Sequence, residues 1–189
     1  MLAEPGVPQS FALPGNQLSE DFVIDRVGVV RGERVYVKEI TWNGQRPPGN
    51  IVGLDGEKGG AFIRILVRGD GASATVKVAD ENGGSVPNAF VAMMPASATS
   101  EAEMSAAMIF KQTDQNGYCA LGTVPPGRYY AVATDSLMDG TANRVHQGLE
   151  PDLAANLVSM LWTARRLGQV VDIGANARIE IKLERQTLR

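Results

Sequence analysis

Along Ala61-Phe62-Ile63-Arg64-Ile65-Leu66-Val67 successive side chains divide between two faces. Phe62, Arg64 and Leu66 fall on one, and Ile63, Ile65 and Val67 on the other, the period of a strand. The second face reads as cleanly buried, so this segment is predicted to pack against a core. Comparable runs recur at Phe22 to Val27, Val35 to Ile40, Thr75 to Val78, Met108 to Phe110, Tyr118 to Leu121 and Arg128 to Ala133. Each is rich in the β-branched and aromatic residues that suit a pleated, half-buried surface. A further strand is predicted over Val86 to Met94, entered through Pro87 at an edge or first-residue position.

Turn chemistry punctuates these runs. Asn43-Gly44 follows Trp42 as a tight reversal. Asp80-Glu81-Asn82-Gly83 and Asp114-Gln115-Asn116-Gly117 place an aspartate where it can bond nearby amides and a glycine where positive φ is needed. Pro125-Pro126-Gly127 cannot continue a ladder and marks the end of a strand. Ala96 to Ala107 shows no clear period and reads as a long loop with room for one helical turn. One segment breaks the β pattern: Pro151 to Leu167 carries Leu153, Leu157, Met160, Leu161 and Ala164 at helical spacing. Pro151 suits the first turn, Arg165-Arg166 the negative end of the dipole, and Gly168 a C-terminal cap. Gln169 to Ile173 and Arg178 to Leu183, joined by Gly174-Ala175-Asn176, are predicted to form a closing hairpin. The fold class expected is all-β, an Ig-like or prealbumin-like antiparallel β-sandwich with one lateral helix. Its organisation reads as a tail or edge segment over 1–20, a β-rich segment over 21–70, and a sandwich over 71–189, with Gly69-Asp70-Gly71 as the boundary.

The later turns and strands together carry a resemblance. Asp80-Glu81-Asn82-Gly83, Val86-Pro87-Asn88-Ala89-Phe90-Val91, Thr113-Asp114-Gln115-Asn116-Gly117-Tyr118 and Val124-Pro125-Pro126-Gly127-Arg128-Tyr129 occur in the order and spacing of the carboxypeptidase regulatory-like domain family. The chain from about Ala74 onward resembles that family, whose fold is a transthyretin-like sandwich. It departs where Ala74-Thr75-Val76 replaces the frequent Gly-x-Val opening, and in the length of the 96–107 stretch. The resemblance implies a non-catalytic module of a bacterial envelope or secreted protein, periplasmic or extracellular, with the 21–70 segment as the end of a preceding similar module. It also implies kinship in fold with starch-binding modules.

Composition narrows the chemistry. Of 189 residues, 44% are hydrophobic and 21% charged, ordinary for a globular chain, while 21 glycines and 10 prolines favour short strands over long helices. A formal net charge of −3 offers no field for nucleic acid, and no run of about 20 apolar residues spans a membrane. Met1 to Gln9 has no basic start followed by an apolar core, so no signal peptide is visible.

His146 is the one histidine, too few for a zinc carboxypeptidase centre, and its polar surroundings read as a surface loop. Cys119, the one cysteine, sits in an apolar run and reads as a small buried hydrophobe. Asp80, Asn82, Asp114 and Asn116 carry calcium-type oxygens, but the twelve-residue loop ending in a bidentate glutamate is missing. Glu101 and Glu103 read as solvated loop residues. No catalytic residue, metal ligand or cofactor is therefore assigned, and the chain is not expected to be an enzyme. The partners expected are neighbouring domains or another protein, engaged through presented loops or an edge strand. Carbohydrate is the alternative, stacked on an exposed aromatic: Trp42 beside Tyr36, or Trp162.

Overall fold

The computed structural model describes residues 21–23, 34–47, 51–53, 62–134 and 151–186. In chain order the elements are β1 (Asp21–Val23), β2 (Tyr36–Trp42), β3 (Ile51–Gly53), β4 (Ile63–Arg68), β5 (Ala72–Ala79), β6 (Phe90–Pro95) and α1 (Glu101–Ala107). They continue with β7 (Ile109–Gln112), β8 (Tyr118–Val124), β9 (Gly127–Thr134), α2 (Pro151–Ala164), a 3-10 turn (Arg165–Leu167), β10 (Gln169–Ile173) and β11 (Arg178–Gln186).

Strands β5 to β11 build an Ig-like or prealbumin-like β-sandwich, as the alternation and turn chemistry predict. One sheet runs β11-β5-β8, with β5 antiparallel to β8 and β11 parallel to β5. The other runs β7-β6-β9, antiparallel throughout, with β10 on the far side of β9. The end of β11 crosses over, pairing Arg185 and Gln186 with Ala133 and Thr134 of β9. Alternate residues of both sheets meet between the layers: Ala72, Ala74, Val76 and Val78 of β5, Val91 and Met93 of β6, Tyr129, Ala131 and Ala133 of β9.

The second sheet is buried on both faces. Its outward residues Ala92, Met94 and Val132 pack beneath Met104 of α1 and Leu157 and Leu161 of α2. That explains why β6 is an almost unbroken apolar run, Phe-Val-Ala-Met-Met-Pro, where a strand with one wet face would alternate. Tyr129 faces the interlayer core, and Tyr130 on the opposite face is half-buried under the helices.

Three expectations are corrected. The 96–107 stretch contains a true helix, α1, so the sandwich carries two helices. Ser100 caps α1 by accepting a hydrogen bond from the Glu103 amide, while the Glu103 carboxylate accepts from the Thr99 amide and hydroxyl. The strand expected from Val86 begins only at Phe90, because Val86 to Ala89 is bonded to Thr113 across the core edge. Thr113 Oγ1 donates to the Val86 carbonyl and accepts from the Ala89 amide, both at 2.8 Å, which fully satisfies a buried hydroxyl.

The last two strands do not pair as a hairpin: β10 joins β9 and β11 joins β5. The 174–177 turn steps from one layer to the other. Gly168 is the C-terminal cap that the sequence predicts, its amide donating to the Arg165 carbonyl from an extended backbone (φ −69°). A Cβ there would stand 2.8 Å from Val132 Cγ2 and 2.9 Å from the Ala131 carbonyl, so it is close packing that requires glycine.

Before the sandwich, β1 pairs with β3 and β2 with β4, each antiparallel. Asn43-Gly44 closes a two-residue turn, with reciprocal backbone bonds between Trp42 and Gln45. The hairpin meets the sandwich at Asp70-Gly71. There the Gly71 amide donates to the Arg34 carbonyl, the Asn176 amide to the Asp70 carbonyl, and the Arg34 guanidinium to the Asn176 carbonyl.

Candidate interaction surfaces

Tyr36, Trp42 and Trp162 do not converge. Trp162 lies on α2, half-buried against the helix-layer cluster of Met94, Met104 and Leu161. The Arg165 guanidinium stands 3.4 Å above its ring centroid and also bonds the Trp162 carbonyl, so that ring face is already occupied by a cation. Tyr36 and Trp42 end the same strand, about 20 Å apart at 3.3 Å per residue. Six residues apart, they would share a face in a regular strand. A bulge between Val37 and Glu39 shifts the register and puts them on opposite faces.

The same bulge sorts the whole hairpin. With Lys38 taken out of the ladder, Val37, Ile40 and Trp42 of β2 stand opposite Val67, Ile65 and Ile63 of β4, a continuous apolar face. Tyr36, Glu39 and Thr41 fall on the other side with Arg68, Leu66 and Arg64. The apolar face is not closed over, contrary to the burial expected for β4: Ile40 is 8% exposed, yet Ile65 is 38% and Val67 42%, and neighbouring Phe62 is 79%. The polar side carries a charged cluster at the junction. Arg68 pairs with Asp70 at 2.7 Å and holds its carboxyl below the usual range. Burial and the adjacent Asp70 carboxylate push the Tyr36 phenol up.

The two aspartate loops are built alike. Asp80 Oδ1 accepts from the Asn82 and Gly84 amides, and Asp114 Oδ1 from the Asn116 and Tyr118 amides, at 2.8–2.9 Å. Those oxygens brace the backbone of their own loops, which is the ordinary work of such turns. Among the described residues no group of three or more His, Cys, Asp or Glu is placed to hold a metal ion. No helix among them is long and apolar enough to cross a membrane. His146 lies outside the described residues. Cys119 is buried in the core, and desolvation pushes its thiol up to about 11, the opposite of activation. Glu101 and Glu103 sit in the first turn of α1, Glu101 accepting a bond from Ser159 of α2.

What the sequence reading did not single out is an open strand edge. Among the described residues β7, β8 and β10 each pair on one side only. β7 is four residues long and carries Lys111, and β8 is bulged against β5 between Ala74 and Thr75, two devices that discourage further pairing. β10, Gln-Val-Val-Asp-Ile, has neither glycine, proline nor bulge. Its one charge, Asp172, is tied across the strand pair to Arg128 by two contacts of 2.8 and 3.1 Å. Val170 is 52% exposed on this strand, and Leu167, just before it, is 70% exposed. The signal available in sequence is a short β-branched run without a gatekeeper.

No protein-family model matches the chain, and no curated protein matches it. Among solved structures it is similar to the pilus 2b backbone protein of group B streptococcus. That match has 14% identity over 72% of this chain and 48% of that one, with a TM-score of 0.37. It is also similar to the major pilin subunit of Bacillus cereus, with 10% identity over 80% of this chain and 56% of that one and a TM-score of 0.32. The chain spans about half the length of these pilin subunits.

Proposed function

We propose that the chain is a non-catalytic structural or interaction module of a larger bacterial envelope or secreted protein, periplasmic or extracellular, which engages a neighbouring domain or subunit by strand addition along β10. The observation that carries this reading is the unguarded edge of β10 with Val170 and Leu167 exposed beside it. An added strand would take its affinity from main-chain hydrogen bonds and its selectivity from alternate side chains set against those two residues. The sandwich behind β10 is rigid enough to present such an edge. β9 is paired on both sides, the layer beneath is filled, and the helices close the outer face. The loops on which the resemblance to the carboxypeptidase regulatory-like family was drawn are tight, internally braced turns. Two aspartate-braced turns are present, and the Pro125-Pro126-Gly127 corner is locked by Tyr129 donating to the Pro125 carbonyl at 2.8 Å.

A photo-crosslinking amino acid placed at Val170 in the producing cell tests the reading. A discrete adduct is expected from Val170 and none from Thr75, exposed on the outer face of the other sheet. Val170→Lys should leave the fold intact, since the side chain is half in solvent, and weaken the same association. Equal labelling at both positions, or none at Val170, would remove β10 as the docking edge.

A further inference from the structure

We propose that Asn43 is a site of self-modification, where the side chain closes an imide ring onto the nitrogen of Gly44. The chain holds three Asn-Gly pairs: Asn43-Gly44, Asn82-Gly83 and Asn116-Gly117. In each, the glycine amide can attack the asparagine side-chain carbonyl within one molecule, and glycine brings no side chain to hinder it. At Asn43 the Gly44 nitrogen bonds to Cγ and gives up its proton to water. The Cγ–Nδ2 bond breaks, and the side-chain nitrogen takes up a proton from water and leaves as ammonia. Water then opens one of the two imide carbonyls, leaving a carboxylate on either a normal aspartyl or a β-linked isoaspartyl residue. The reacting groups are the same at all three pairs, so the fold decides between them.

Two of the three nucleophiles are already engaged. The Gly83 amide donates to the Asp80 carbonyl and the Gly117 amide to the Asp114 carbonyl, each at 3.0 Å, inside loops that the aspartate side chains brace. Gly117 is also buried, with the Val78 carbonyl, the Val86 amide and Ser85 Cβ all within 3.2 Å of where its own Cβ would stand. A ring has no room to close there. The turn at Asn43 is built differently. Its closing bonds run between Trp42 and Gln45, and the Gly44 amide has no acceptor among the described residues. Asn43 and Gly44 are exposed, and nothing lies within 4 Å of the Gly44 Cβ position. The Phe62 amide donates to Asn43 Oδ1 at 2.9 Å. That oxygen gains negative charge as the ring closes, so a donor already in place lowers the barrier as an oxyanion hole does. An unengaged nucleophile and a polarised carbonyl coincide at this pair alone among the three. Either product adds a negative charge, and the isoaspartyl form lengthens the backbone of a two-residue turn that fixes strand register.

Incubating the full chain at mildly alkaline pH and mapping its peptides by mass spectrometry tests this, with deamidation and isoaspartate followed at each pair. Conversion at Asn43 is expected to run at least about fivefold faster than at Asn82 or Asn116, the rate factor of one hydrogen bond. In concentrated urea the three rates should converge, because the bonds that distinguish the pairs are gone. Asn43→Ser should remove the fast phase of ammonia release and leave the slow phase in place. Equal rates in the native chain, or a faster rate at Asn82 or Asn116, overturn the proposal. So does a fast phase that survives Asn43→Ser. The same order of rates persisting in urea overturns it as well, by placing the cause in the neighbouring residues and not in the fold.

Discussion

Two ionisable side chains of the core, Cys119 and Tyr129, are buried, and desolvation is the largest influence on each, outweighing the Lys111 charge that favours the thiolate. Desolvation raises the thiol from an ordinary 9.0 to about 11, and it raises the phenol from 10.0 to about 12. Each folded pKa lies above its unfolded value, so each group's contribution is fully present below the unfolded pKa and is lost as pH rises through the folded one. Urea midpoints should therefore hold steady to about pH 9 and fall across pH 9–12. Cys119→Ala should move the onset of that fall upward by about one pH unit, leaving the part that belongs to Tyr129. A midpoint that stays flat to pH 12 would show that these groups are solvated. Neither effect depends on a partner, because both residues face the interlayer core.

At the scale of elements, the two aspartate loops share one pattern of hydrogen bonds and differ in what surrounds their glycines. Gly83 has φ +81° and open space around its missing Cβ, whereas Gly117 has φ +76° and a Cβ there would lie 2.8 Å from the Val78 carbonyl. Gly83→Ala should cost only the left-handed backbone penalty, about 1–2 kcal/mol. Gly117→Ala should cost that and a backbone displacement besides, about 1–3 kcal/mol more. Thermal or urea unfolding of the pair measures the difference, and equal losses would contradict the close approach. Both loops were legible in sequence because an Asx-braced turn is written in four consecutive residues. α1 was less so: Ala and Ser blur its period, and the usable signal was Ser100 three residues before Glu103. The pairing of β10 and β11 was not legible at all. Adjacency in sequence suggests a hairpin, and only the demand for partners by β9 and β5 sends them to different sheets.

For the molecule as a whole, the junction at Asp70 decides how the hairpin and the sandwich are held together. Arg68 bonds Asp70 and keeps its carboxyl below the ordinary 3.8. A lowered folded pKa gives stabilisation that is present above the unfolded value and lost as pH falls through the folded one. Limited proteolysis at 69–71 should accordingly be slow at neutral pH and accelerate below about pH 4. Asp70→Asn should cleave at an accelerated rate at pH 7. Cleavage independent of pH and of this substitution would mean that the backbone bonds from Gly71 and Asn176 hold the junction unaided.

The sequence by itself determined the class of fold, most strand positions, the tight turns and the burial of Cys119, because side-chain alternation and turn residues act over a few neighbours. It left the aromatic candidates Tyr36, Trp42 and Trp162 unresolved. Where they point depends on a register shift in β2 and on Arg165 folding back over a ring. Tertiary structure alone decided which apolar faces are closed and which stay open. Ile63, Ile65 and Val67 of β4 have the same apolar alternation as Ala74, Val76 and Val78 of β5, but among the described residues only the second set faces an opposing sheet. Burial is a property of the layer that arrives from elsewhere in the chain, and alternation states only that a strand is ready to receive one.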